Sequence, residues 1–71
     1  MKSGKSKYNL TDNEYKILQF VAKGLSNKQI GDHLYVSAHT IKAQLSIILK
    51  KLNAENRSHA VYIATKEQII D

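Results

Sequence analysis

Lys42, Ser46 and Lys50 recur at intervals of four, and Ala38, His39 and Ala43 fall beside them on one side of any α-helix drawn through this stretch. Side chains three and four apart share a helix face. The face so formed holds two cations, an imidazole and small residues, with no carboxylate. Small side chains let a helix approach a surface closely, and lysines meet phosphate oxygens or the O6/N7 edge of guanine. The chemistry such a face would do is recognition of double-stranded DNA, with no bond made or broken. The same pattern also fits a protein-interaction module whose basic helical face meets an acidic partner, or a sigma-like promoter module acting beside RNA polymerase.

Catalysis and metal binding have little to stand on. His33, His39 and His59 are separated by six and twenty residues, without an i,i+4 pair, and the chain has no cysteine. Zinc is therefore not expected, nor is any other metal or cofactor. The G-x-S-x-G elbow and the glycine-rich phosphate loop are both missing. No enzymatic activity is expected. Tyr8, Tyr15, Tyr35 and Tyr62 read as packing residues rather than base-stacking platforms.

Those candidate residues need a scaffold, and its punctuation is legible. Thr11 with Glu14 three residues on has the spacing of a capping box, and Leu10 is placed to staple onto Tyr15. Ile17, Leu18, Val21 and Ala22 follow at helical spacing. Gly24 stands where a left-handed residue ends a helix, after Lys23. Ser26 with Gln29 repeats the capping signal for a short helix that buries Ile30 and Leu34. Gly31 inside it costs about 0.5–1 kcal/mol relative to alanine, which suggests close helix–helix approach or simple tolerance. After a tight turn at Tyr35-Val36, Ser37 caps a third helix whose apolar stripe is Ile41, Leu45, Ile48, Leu49 and Leu52. A last helix spans about Arg57 to Lys66 with Ala60, Val61, Ile63 and Ala64, and Ile69 and Ile70 fold back as an anchor.

The expected fold is all-α: a four-helix domain, with helices of about 13, 9, 15 and 10 residues, containing a helix-turn-helix in the second and third. Residues 9–71 form this domain, after a basic tail over 1–8. Hydroxyls and backbone N–H groups at Ser26 and Ser37 can bond phosphate oxygens at the helix starts. Arg57 opens the last helix, a poor place for a cation beside the helix dipole, and this favours a phosphate or carboxylate partner. The last helix offers Val61, Tyr62 and Thr65 beyond what one small core absorbs. They form either a weak two-fold interface or, for Val61 and Tyr62, the closing edge of the monomer core.

Seventy-one residues bound the answer to one small domain. Eleven Lys and Arg against six Asp and Glu give a net charge of +5. Its distribution says more than the total, because no acid lies between Asp32 and Glu55 while Lys42, Lys50 and Lys51 do. No apolar run approaches the ~20 residues needed to span a bilayer. The charged start has no hydrophobic stretch behind it, so neither a secretory leader nor a membrane partner is expected, and the expected location is cytoplasmic.

The residues also carry a family resemblance. Leu10-Thr11-x-x-Glu14-x-x-Ile17-Leu18 and Ala22-x-Gly24-Leu25-Ser26-Asn27-Lys28-x-Ile30 resemble the opening of the LuxR/FixJ-type (GerE-like) helix-turn-helix domain of bacterial regulators. Leu34-x-Val36-Ser37-x-x-Thr40-Ile41-Lys42 is similar to its turn and recognition helix. Ile48-Leu49-x-Lys51-Leu52, Asn56-Arg57-Ser58-x-Ala60-Val61 and Ile69-Ile70 resemble the remainder.

The resemblance implies a four-helix fold of the winged-helix-like group without a wing, and promoter binding as a homodimer through the last helix, with RNA polymerase as a further partner. It implies base reading by Lys42, Ala43 and Ser46. Phosphate contacts are implied for Ser26, Asn27, Lys28, Ser37, Thr40, Lys51, Arg57 and Ser58; Lys50 joins them from its place on the outer face. The chain departs from the pattern at Lys16, where an acid is usual, so that an internal salt bridge made there would be lost or reversed. Further departures are Gln29, Gly31, Gln44, Ile47, Asn53, Ala54 and Gln68.

Overall fold

The computed structural model describes residues 7–70. Within them lie four helices: α1 (Asp12–Ala22), α2 (Asn27–Leu34), α3 (Ala38–Leu52) and α4 (Arg57–Lys66). They have 11, 8, 15 and 10 residues. The first two are slightly shorter than the periodicity suggests, because Thr11, Lys23 and Ser26 act as caps outside the helical turns. Of the tail expected over 1–8, residues 1–6 fall outside the described residues. Tyr8 lies half-buried against the core.

Local chemistry explains each boundary. Thr11 Oγ1 accepts from the Glu14 N–H at 3.1 Å, and Glu14 Oε1 accepts from the Thr11 N–H at 2.9 Å, which closes the capping box. Ser26 and Gln29 repeat it at 3.1 and 2.8 Å. Gly24, with φ at +88°, ends α1 in a Schellman arrangement: its N–H donates to Val21 O and that of Leu25 to Phe20 O. Gln68 does the same after α4 with φ at +58°. The Ile69 N–H then donates to Ala64 O at 2.8 Å, and the turn delivers Ile69 and Ile70 to the core.

One core unites the helices. Ile17, Leu18, Ile30, Ile41 and Ile48 are fully buried, with Val21, Leu45, Leu52, Ala60 and Ala64 around them. The most extensive helix pairing is α2 against α3. Among the described residues no helix is long and apolar enough to cross a membrane.

The turn between α2 and α3 is unusually tight. A Cβ added at Gly31 would lie 2.5 Å from Val36 O. The close approach at Gly31 is therefore to the backbone of the turn, where a helix–helix contact was one of the two expectations. Tyr35 adopts the left-handed conformation with φ at +62°, and its side chain is 94% exposed. An L-residue other than glycine is disfavoured there by about 1–2 kcal/mol. A Tyr35→Gly chain is expected to be about 1 kcal/mol more stable. Thermal melts should show a rise of about 4–8 °C, and a lower melting temperature would refute the strain.

Candidate nucleic-acid interface

α3 sets the direction of every candidate base contact. Ile41, Leu45, Ile48 and Leu52 face inward, so Ala38, His39, Lys42, Ala43, Ser46 and Lys50 are all exposed on the opposite side. The helix contains no carboxylate along its whole length. Ile47, one turn beyond Ala43, is also outside and 49% exposed. Gln44 is turned aside: its Oε1 accepts from Asn13 Nδ2 of α1 at 3.1 Å.

The helix starts flank this face. Ser37 Oγ accepts from the Thr40 N–H and donates to Thr40 Oγ1, both at 3.0 Å, which leaves the Thr40 hydroxyl proton for an outside acceptor. At Ser26 the backbone N–H is already occupied by Gln29, so the hydroxyl proton is the group left to offer. Lys28 is exposed and pairs loosely with Asp32 at 3.4 Å. Such solvent-exposed i,i+4 pairs contribute about 0.3–0.5 kcal/mol, too little to hold the ammonium from a phosphate.

Lys51 and Arg57 have partners inside the protein. Lys51 Nζ donates to Glu14 Oε1 at 2.7 Å and to Asn9 O at 2.9 Å, and the two charged side chains are only 26% and 12% exposed. The internal ion pair of α1 thus runs from Glu14, and Lys16 is exposed. Arg57 donates to Asn27 Oδ1 and Leu25 O, both at 2.6 Å. The sequence favours an anionic partner for this guanidinium; inside the protein its acceptors are the backbone carbonyl of Leu25 in the α1–α2 link and the side-chain amide oxygen of Asn27, the first residue of α2. The same contact fixes Asn27 with its amide oxygen toward Arg57. Ser58 is exposed in the first turn of α4.

The environment of Glu14 makes stability depend on pH. Burial alone would raise its pKa, but hydrogen bonds from Lys51 and the Thr11 N–H, with the Lys51 charge, outweigh that and hold it below 4.5. A carboxyl depressed in the folded state contributes stability in full above its unfolded value. That contribution is lost as pH falls through the folded value. Denaturant titrations should therefore show stability declining from about pH 5 downward. Glu14→Gln should lose about 1–2 kcal/mol at neutral pH and show a flatter acid limb. An unchanged acid limb in that variant would exclude the pair as its source.

On α4, Val61 is half-buried against the core, while Tyr62 is 59% exposed and Thr65 is exposed. Tyr62 stacks on His59 with ring centroids 6.4 Å apart, and Lys66 Nζ lies 5.8 Å from its centre. Among the described residues no group of His, Asp or Glu could hold a metal ion.

A short capped helix, a three-residue turn and a longer capped helix with an exposed acid-free face define a helix-turn-helix module. Comparison with known proteins agrees. Residues 8–64 match the model of the bacterial regulatory proteins, luxR family. The chain belongs to this family, as a DNA-binding domain of transcription regulators rather than an enzyme. It is 40% identical over 70 residues to the transcriptional regulatory protein YdfI of Bacillus subtilis (strain 168), covering 99% of this chain and 33% of that protein. Over 62 residues it is 37% identical to the oxygen regulatory protein NreC of Staphylococcus carnosus (strain TM300), covering 87% and 29%. Over 57 residues it is 40% identical to the DNA-binding transcriptional activator DevR/DosR of Mycobacterium tuberculosis (strain ATCC 25618 / H37Rv), covering 80% and 26%. The chain spans about a third or less of the length of these relatives.

Proposed function

We propose that the chain binds duplex DNA sequence-specifically in the cytoplasm, with α3 in the major groove, and so controls transcription. The observation that carries this is the outer face of α3, where Lys42, Ala43, Ser46 and Lys50 are exposed on a helix without a carboxylate. Lys42, Ala43 and Ser46 read base edges. Ser26, Asn27, Lys28, Ser37, Thr40, Lys50 and Ser58 contact phosphates. Arg57 and Lys51 join them with the donors left over from their internal contacts.

Two copies associate through Val61, Tyr62 and Thr65 on α4 and occupy half-sites about one helical turn, roughly 34 Å, apart. Contact with RNA polymerase is part of the same reading. The protein-interaction alternative has no observation of its own in its favour.

Selection of bound duplexes from a random pool, followed by fluorescence titration at rising salt, tests the proposal. Affinity for random duplex should fall steeply with salt, and Lys28→Ala should weaken all sequences alike and reduce the log–log slope by about 1. No binding to any duplex at about 50 mM salt, where phosphate contacts act strongly, would refute it. Sedimentation on a two-half-site duplex should show two copies per DNA; a single copy at saturation would remove the dimer.

A further inference from the structure

The outer face of α3 holds one large side chain that no phosphate or polar base edge can use. Ile47 is 49% exposed, and among the described residues it is the one large apolar side chain that α3 shows to solvent. It is not needed for the core: Ile41, Leu45, Ile48 and Leu52 supply that side of the helix. It follows Ala43 by four residues, so the two form a continuous apolar strip beside Lys42, Ser46 and Lys50. The polar neighbours on its other flank are engaged elsewhere. Gln44 is bonded to Asn13, and Lys51 to Glu14 and Asn9 O. Ile47 is the large apolar side chain exposed on that flank.

An isoleucine neither donates nor accepts a hydrogen bond. The major groove offers one apolar group, the C5-methyl of thymine. Alanine at 43 keeps the helix close to the groove floor, and the branched side chain one turn later reaches further. We propose that Ile47 is a specificity-determining residue that packs on a thymine methyl and so selects T·A over C·G at one position of each half-site. The proposal rests on duplex binding through α3 and adds to it the base, and the atom, that this side chain recognises.

Uracil in place of thymine removes that methyl alone and keeps the base pairing. The test uses the 71-residue chain and a duplex it selects from a random pool, with uracil placed at one thymine position at a time. At one position per half-site the unaltered chain should lose about fourfold in affinity, the worth of one buried methyl-sized group. Ile47→Asn and Ile47→Ala should bind the thymine and uracil copies of that position equally, and Ile47→Val should retain part of the difference. Because the position is exposed, thermal melts of the variants should remain close to that of the unaltered chain. If no single uracil weakens binding, or if both variants keep the full difference at every sensitive position, the assignment of Ile47 is overturned. Failure of the selection to enrich any sequence is a separate result, and it overturns duplex recognition itself along with the role of Ile47.

Discussion

Lys42→Ala should lower affinity for a selected duplex by about 1–3 kcal/mol, roughly five- to 150-fold, and relax sequence preference at one base pair. Its thermal stability should be unchanged. Lys42 is exposed at the start of α3 and makes no ion pair with another described residue. Removing its ammonium therefore breaks no ion pair among the described residues, and lost affinity with unchanged stability belongs to the DNA contact. Titration of the variant against the selected duplex and a panel of single-base changes reads both effects. Lys51→Ala provides the contrast. Its ammonium is held by Glu14 and Asn9 O, so it should lower stability first, and affinity through loosening of α1 against α3. An unaltered affinity of Lys42→Ala for every duplex would remove base reading from that position.

That difference between two lysines of one helix marks the limit of what periodicity can tell. The caps at Thr11, Ser26 and Ser37 were legible because each is a contact between residues three apart in the chain. The apolar stripe of α3 was legible because burial repeats with the helical turn, and the outer face followed from it. The family resemblance implies phosphate contacts for Lys51 and Arg57, and their partners inside the protein lie 37 and 30 residues away. No local spacing encodes such a meeting.

A partial signal was present. Lys51 follows Ile48 by three and directly precedes Leu52, so it lies on the flank of the buried stripe, whereas Lys50 lies opposite it. A flanking cation faces a neighbouring helix, and Glu14 is an acid on the helix that α3 packs against. The left-handed backbone at Tyr35 had no such signal, since tyrosine is a poor candidate for that conformation. It is imposed by the short reach between the end of α2 and the cap of α3, which also presses Val36 O toward Gly31.

Ile41→Ala should have the largest effect on the domain as a whole. Ile41 is fully buried at the first turn of α3 and shares the core with Ile30 of α2, also fully buried. Truncating such a side chain costs about 2–5 kcal/mol, from lost transfer free energy and the cavity left behind. A domain of this size has about 4–10 kcal/mol in total, so the variant should be partly unfolded at moderate temperature. Denaturant melts give the loss directly, and Ile41→Val should lose only about 0.5–1.5 kcal/mol. The functional consequence follows from the neighbouring residue. Lys42 points outward because Ile41 is held inward, so a loosened first turn lets the lysine wander from the groove. Ile41→Ala should therefore lose DNA affinity even at a temperature where most chains remain folded, with sequence preference falling faster than affinity for random duplex. If the folded fraction of Ile41→Ala kept full sequence preference, the orientation of Lys42 would not depend on the packing beneath it.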